Sequence, residues 1–273
     1  MKTIIIPTDF SPVALNATNY ALDMALAINA SIMLLHTYQI PVAITDTPLI
    51  LVSVDELKAD AEKKLDIARE ELERVTGGKV KIYTEARLGN VTDELQDIGS
   101  KTQPYAIIMG TTGHSAVERV IFGSNTLSVI KHITWPVICV PTGKTFGNGI
   151  KKIGLACDLR EVAETVPTEG IKKFAAQFDA EFHVLNIHFE ETPEAASEQS
   201  SLLQTALSEL RPQFHFIKNK DIEDGVHEFA ETNNLDLIIT IPKKHKLLDG
   251  LFKKSSTKQL VYHSHIPVMT LHD

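Results

Sequence analysis

The chain is short of what several large functional classes require. It holds two cysteines in 273 residues, Cys139 and Cys157, with no CxxC pair and each set in an apolar, strand-like run. That pattern excludes a disulfide framework and points to buried, reduced thiols in a cytoplasmic protein. No apolar run approaches the roughly 20 residues of a membrane span. The apolar opening from Met1 to Pro7 is too short for a secretory signal. Basic residues are outnumbered, 27 Lys and Arg against 35 Asp and Glu, for a net charge of -8. Such a chain is ill suited to nucleic acid or to an anionic membrane surface, both of which select basic patches. Also missing are the G-x-x-x-x-G-K-[ST] loop, the G-x-S-x-G elbow, HExxH and paired CxxC motifs. Fast P-loop phosphoryl transfer, serine hydrolase chemistry and the common zinc sites are disfavoured with them. No catalytic residue and no metal ligand set can be named from the sequence.

What is present is a regular alternation of strand and helix signals. Residues 3–8 form a short apolar run fit for a buried parallel strand. Ser11 and Pro12 open a helix, serine at the cap and proline in the first turn. Val13, Ala17, Ala21, Met24, Ala25 and Ile28 follow at helical spacing. A second strand covers 31–38. After a loop containing Pro41 and Pro48, Ser53-Val54-Asp55-Glu56 reads as a capping box. Leu57, Ala61, Leu65, Ala68, Leu72 and Val75 line one face of the helix behind it, until Gly77-Gly78 stops it. A third strand at 80–86, a helix from Asn90 to about 102, a fourth strand at 105–109, a helix at 124–133 and a fifth strand at 137–140 complete the set. Five strands alternating with helices predict a doubly wound α/β fold, a parallel sheet covered on both faces.

Residues 141–149 have linker composition, and beyond them the order restarts. Ile153 to Cys157 is followed by Asp158, as Ile4 to Thr8 is followed by Asp9. Leu237 to Ile241 parallels Ala106 to Gly110, and His265 to Met269 parallels Thr134 to Ile138. The period is far too long for a solenoid repeat. It predicts two tandem copies of one domain: residues 1–142, a linker at 143–149, and residues 150–273. The last strands, Val137 to Val140 and Val268 to Leu271, follow prolines and are apolar on both faces. Edges of that kind invite pairing. The halves are therefore expected to pack on each other through them as an intrachain pseudo-dimer, and a homodimer is open to the full chain as well.

The most informative stretch is Met109-Gly110-Thr111-Thr112-Gly113, followed nine residues on by Gly123-Ser124-Asn125-Thr126. Glycines at a strand exit and a helix start let the backbone approach phosphates closely. They reach positive φ cheaply, and amide N–H groups at a helix N-terminus favour an anion. The Ser124 and Thr126 hydroxyls would add hydrogen bonds. Glycines that merely form turns are the plainer reading. Asp9, after Pro7-Thr8 at the end of the first strand, can accept hydrogen bonds from ribose hydroxyls. Alternatively it caps the helix at Pro12 together with Ser11. His114 and Arg119 lie between the glycines, where they can touch phosphate, assist hydrolysis or simply stand in solvent. Placing Pro136 on Pro267 and walking back without gaps sets Ile241, Lys244 and Lys254 opposite Gly110, Gly113 and Gly123. Ser255 and Asp158 still match Ser124 and Asp9. The second half is thus expected to be degenerate as a nucleotide site. Its Lys243-Lys244-His245-Lys246 run, with Lys253 and Lys254, suits an anion, an acidic partner or a solvated loop. His263 and His265 are spaced as neighbours on one strand face, but a third metal ligand is missing.

With Pro7-Thr8-Asp9 at the first strand's end, the glycine spacing resembles the ATP-binding signature of the universal stress protein family. The resemblance runs along the whole chain, specific in the first half and eroded in the second. It implies an adenine nucleotide α-hydrolase-like fold with ATP, with or without Mg, in a cleft of the first domain. It carries over Asp9, Gly110, Gly113, Gly123 and Ser124 as ligand contacts, with Pro7, Thr8, Met109, His114, Asn125 and Thr126 as neighbours. Adenine would fall near Tyr38 to Ile40. The implied role is cytoplasmic stress response, with ATP as a regulatory ligand and hydrolysis weak or absent. A nucleotide-free scaffold for protein partners is the alternative, and a slow ATP hydrolase is a third. A flavodoxin-like FMN site is disfavoured, because Asp9-Phe10-Ser11-Pro12 stands where its phosphate loop would lie.

Overall fold

Strand β1 (Thr3–Pro7) is an unbroken apolar run with Ile4, Ile5 and Ile6 fully buried, as a strand covered on both faces must be. The computed structural model describes residues 2–40, 53–111, 124–188, 194–242, 260–261 and 263–272. In it β1 lies between β2 (Ser31–Tyr38) and β4 (Ala106–Thr111). With β3 (Ile82–Leu88) and β5 (Val137–Pro141) the first half runs β3-β2-β1-β4-β5, all parallel. Helices α1 (Pro12–Ile28), α2 (Val54–Thr76), α3 (Val91–Thr102) and α4 (Ser124–His132) make the connections. Their starts are locally encoded. Ser11 Oγ accepts from the Ala14 amide at 3.2 Å, Ser53 and Glu56 form the capping box, and Asn90 Oδ1 accepts from Asp93 at 3.0 Å.

The second half repeats the plan with β6 (Lys152–Ala156), β7 (Glu181–His188), β8 (Gln213–Lys218), β9 (Leu237–Thr240) and β10 (Val268–Thr270), in the order β8-β7-β6-β9-β10. Helix α5 (Val162–Thr165) and α6 (Thr168–Ala175) follow β6, α7 (Glu194–Ala206) follows β7, and α8 (Ile222–Thr232) follows β8. The match between α3 and α8 extends to their ends: Asp221 caps α8 as Asn90 caps α3, and Gln103 and Asn234 leave in the left-handed conformation at φ 47° and 54°.

The two halves join through their last strands. β5 and β10 pair antiparallel, Val137 with Thr270, Ile138 with Met269 and Cys139 with Val268. Two five-stranded parallel sheets thereby become one sheet of ten strands. A continuous apolar layer covers each face across the junction. One contains Ile138, Met269, Phe174 and Phe182, the other Val137, Cys139, Val268 and Leu185.

Two strand ends and one local assignment differ from the sequence reading. The third strand lies two residues later than 80–86, and the fourth runs past Met109, so that Gly110 and Thr111 pair with Val140 and Pro141. His263 and His265 are not strand neighbours. Residue 263 is helical, and Ser264 Oγ ties off a turn by bonding both the carbonyl and the amide of Ile266.

Residues 143–149 have a defined path. Asn16 of α1 donates to the carbonyls of Pro141 and Lys144 at 3.2 and 3.3 Å and accepts from the Gly143 amide at 3.2 Å. Gly143, Gly147 and Gly149 have φ of 81°, 53° and 89°, which other residues adopt at a cost. The path drops Phe146 into the core, edge-on to Tyr20 at 5.4 Å from one half and 6.4 Å from Phe178 of the other. Beside it Tyr105 stacks on Phe174 at 5.5 Å and donates to its carbonyl at 3.2 Å. Phe146 thus belongs to both halves at once. Phe146→Ala should cost roughly 3–5 kcal/mol, as for a buried aromatic truncated to a cavity. Urea unfolding checks this, and an unchanged midpoint would contradict it.

A second buried group sets a pH dependence. His183 of β7 and His215 of β8 share a 3.0 Å Nδ1–Nε2 contact beneath Phe229 of α8. Burial pulls both imidazoles below the ordinary histidine range, and for His183 the adjacent His215 adds to it. Such groups bind protons less readily in the folded chain. Their stability contribution is complete above the unfolded value of about 6.5 and is lost as pH falls through the depressed folded value. The urea midpoint should therefore drop as pH falls below about 6.5, more steeply in the wild type than in His183→Val/His215→Thr. Parallel pH profiles for the two proteins would refute the assignment.

Candidate functional site

In the order β3-β2-β1-β4-β5, chain direction reverses its lateral progress between β1 and β4. The carboxyl ends of strands at such a switch point form the natural ligand crevice of an open α/β sheet. Pro7, Thr8 and Asp9 leave β1 there, and Met109 and Gly110 lie at the end of β4. Strand β4 leads to α4, whose first residues are Ser124, Asn125 and Thr126; Thr126 is buried, and Ser124 and Asn125 are exposed. Gly113, His114 and Gly123 lie outside the described residues, as do Arg119 and the basic residues Lys243 to Lys246, Lys253 and Lys254.

The turn after β1 is held by several hydrogen bonds. The Thr8 amide donates to the Leu35 carbonyl at 2.8 Å, which extends the β1–β2 pairing by one residue. Thr8 Oγ1 accepts from the Phe10 amide at 3.0 Å, and Asp9 Oδ1 accepts from the Ser11 amide at 3.0 Å. Phe10 sits at φ 63°, a left-handed conformation that costs a bulky residue about 1–2 kcal/mol. His36 of β2 supports it, its Nδ1 2.7 Å from the Thr8 carbonyl and its ring 4.7 Å from that of Phe10. Asp9 does not cap α1 itself; Ser11 does, and Asp9 braces Ser11. The Asp9 carboxylate is exposed and one oxygen is committed to the turn.

Gly110 has a structural duty that the sequence did not show. A Cβ there would meet the Val13 carbonyl oxygen at 2.4 Å and Val13 Cγ1 at 2.7 Å. The missing side chain lets the first turn of α1 settle onto the end of β4. In the second half Ile241 takes the corresponding place, partly buried against a core that includes Leu159, Val162 and Val166. The helix after β6 is broken to match, four residues of α5 and eight of α6 where α1 has seventeen. The α5 amide of Val162 is met by Gln199 Oε1 of α7 at 2.9 Å. The close approach of helix and strand is therefore a property of the first half.

Near the expected adenine position, Tyr38 ends β2 with its carbonyl accepting from Gly89 at 3.0 Å, and Gln39 and Ile40 are exposed. Among the described residues no group of three or more His, Cys, Asp and Glu is disposed to hold a metal ion, and no helix is long and apolar enough to cross a membrane. His36 was missed by the sequence reading. Its counterpart in the second half, Asn186, is a faint sequence signal: a polar residue directly after a buried leucine in both copies.

Residues 1–141 and, again, 149–272 match the universal stress protein family. The chain belongs to the universal stress protein family. A universal stress protein of Methanocaldococcus jannaschii is 31% identical over 148 residues, 52% of this chain and 84% of that protein. A universal stress protein structure from Archaeoglobus fulgidus superposes with a TM-score of 0.78 at 17% identity, covering 99% of this chain and 98% of that one. A second, from Pseudomonas aeruginosa, gives 0.64 at 14% identity over 99% and 93%. At these identities the structures establish the fold, an adenine nucleotide α-hydrolase-like α/β sheet in two universal stress protein repeats.

For this universal stress protein, Gly110→Ala is expected to cost roughly 1–3 kcal/mol, because the clash is with backbone and not with a flexible side chain. Thermal or urea unfolding would measure it. A neutral substitution would show that α1 can back away from β4 without loss.

Proposed function

We propose that the first half of this universal stress protein binds one ATP per chain as a regulatory ligand in a cytoplasmic stress response, with hydrolysis slow or absent. The observation that carries this reading is the exposed Asp9 carboxylate. A hydrogen-bonded turn carries it at the switch point, where its second oxygen would accept from ribose hydroxyls. The residues fit a nucleotide in kind. Pro7 and Thr8 bring Asp9 to the mouth, and the Met109–Gly110 backbone borders the crevice from β4. The first turn of α4 supplies Ser124 and Thr126 hydroxyls with a helix N-terminus suited to phosphate. Gly113, His114, Gly123 and Asn125 complete the set by the glycine spacing, and Mg would travel with the triphosphate. Residues 1–142 act as the binding domain, 143–149 as the connection, and 150–273 as a copy without a nucleotide site. That last assignment rests on Ile241 at the place of Gly110 and on the broken helix behind β6.

Isothermal titration with MgATP tests the reading. The expected stoichiometry is about one per chain, and Asp9→Ala should weaken binding by roughly 1–3 kcal/mol, the range for hydrogen bonds to a charged acceptor. A stoichiometry near two would contradict the asymmetry. No detectable binding would favour a scaffold that works without nucleotide. Steady-state phosphate release should stay far below the roughly 10 s⁻¹ of dedicated enzymes; rapid turnover that depends on Asp9 would make the protein a hydrolase instead.

A further inference from the structure

The turn after the first strand of each half is built twice from different residues. In the second half the Cys157 amide donates to the Leu185 carbonyl at 3.0 Å, as Thr8 donates to Leu35. Cys157 Sγ accepts from the Leu159 amide at 3.4 Å, where Thr8 Oγ1 accepts from Phe10. Asp158 Oδ1 accepts from the Arg160 amide at 3.2 Å, where Asp9 accepts from Ser11. Leu159 is left-handed at φ 52°, as Phe10 is at 63°. One contact comes from outside the turn in both copies. His36 Nδ1 lies 2.7 Å from the Thr8 carbonyl, and Asn186 Nδ2 donates to the Cys157 carbonyl at 3.0 Å. Each is the residue after the leucine that receives the strand-end amide. A carbonyl can only accept, so His36 carries its proton on Nδ1. The Nδ1–H of histidine and the Nδ2–H of asparagine occupy nearly the same place relative to Cβ. The chain has thus solved one positioning problem with two side chains that share a donor and little else.

We propose that His36 is the positioning residue for Asp9. It anchors the Thr8 carbonyl from β2 and carries Phe10 on its ring, and so fixes the direction in which the Asp9 carboxylate meets a ligand. His36 itself touches no ligand; its role in binding rests on the ATP reading of the first half, while its role in the turn does not. The ring contact with Phe10 is particular to the first half. In the second half the corresponding left-handed residue, Leu159, is instead buried in the core.

The second copy supplies the decisive variant. In the full-length protein, His36→Asn restores the donor found at Asn186, and His36→Leu keeps an apolar side chain without it. Two readouts are taken on each: MgATP affinity by calorimetry, and protection of the Phe10 and Ser11 amides by hydrogen-exchange NMR. His36→Leu is expected to lose that protection and to bind ATP roughly three- to tenfold more weakly, the factor for one neutral hydrogen bond. His36→Asn is expected to retain both. A His36→Leu protein that keeps its turn protection overturns the proposal, and so does a His36→Asn protein as impaired as His36→Leu. If wild-type protein binds no ATP, the nucleotide reading fails by itself. The amide protection alone then decides whether His36 holds the turn. If turn protection follows the donor while wild-type and variant ATP affinities are equal, Asp9 is held by His36 but does not bind the ligand, and the positioning role in binding is refuted.

Discussion

The antiparallel pairing of β5 with β10 is the constraint on which the rest of the molecule depends. Both strands are buried on both faces, so neither can stand at a solvent-facing edge without exposing apolar side chains and unpaired backbone groups. Either half alone would present such an edge. Joined, they move the edges outward to β3 and β8, whose side chains are mostly partly or fully exposed. The inner apolar layers then run uninterrupted across the junction, and Phe146 and the Tyr105–Phe174 stack close it on one face. The connection between the halves is consequently shaped as core. Asn16 pins its start, and three left-handed glycines steer it.

Within that shared frame the copies have diverged in compensating pairs. A Cβ on Gly99 would lie 2.5 Å from the Trp135 ring, so the indole of the first half requires a glycine on α3. At the corresponding positions the second half has Ala230 and Ile266, both buried. A smaller partner there accommodates a larger helix residue. Gly110 and Ile241 show the same logic at the crevice, but there the compensating change is a break in a helix. The first exchange preserves the architecture. The second replaces the close contact of helix and strand end that Gly110 allows with a shorter, interrupted helix. The two halves thus differ in packing at this strand end before any ligand is considered.

The parts of the fold legible in the sequence are those determined locally. Ser11, Ser53 with Glu56, and Asn90 announce helix starts because capping is settled within four residues, and the apolar runs of β1 and β2 admit no solvent-facing reading. Strand ends are set by neighbours. β3 continues to Leu88 because Gly89 bonds to the Tyr38 carbonyl, and β4 continues to Thr111 because the Thr142 amide reaches its carbonyl at 3.0 Å. The same distinction divides the site. Asp9 and Gly110 could be picked out by residue type and place. That Gly110 faces Val13, or that His36 supports Phe10, follows only from register between strands distant in sequence. The placement of His263 and His265 as strand neighbours failed for a related reason: Pro267 and the Ser264 turn delay the strand that would have aligned them.

The turn carrying Asp9 also decides what kind of site this can be. Phe10 occupies a conformation costing about 1–2 kcal/mol, and its support is internal: a threonine hydroxyl, a carboxylate oxygen, a histidine donor and an aromatic contact. Nothing in that set depends on a ligand. The second half maintains the same turn beside a broken helix, which shows that the turn is required for leaving the first strand whether or not a crevice follows. A carboxylate presented this way is fixed before anything binds, so a ligand need not bear the cost of ordering it. A binding site placed here would therefore require little at β1, where folding has already set the geometry. More would be required at β4 and α1, where the missing Cβ of Gly110 lets the helix settle on the strand end as it does not beside Ile241.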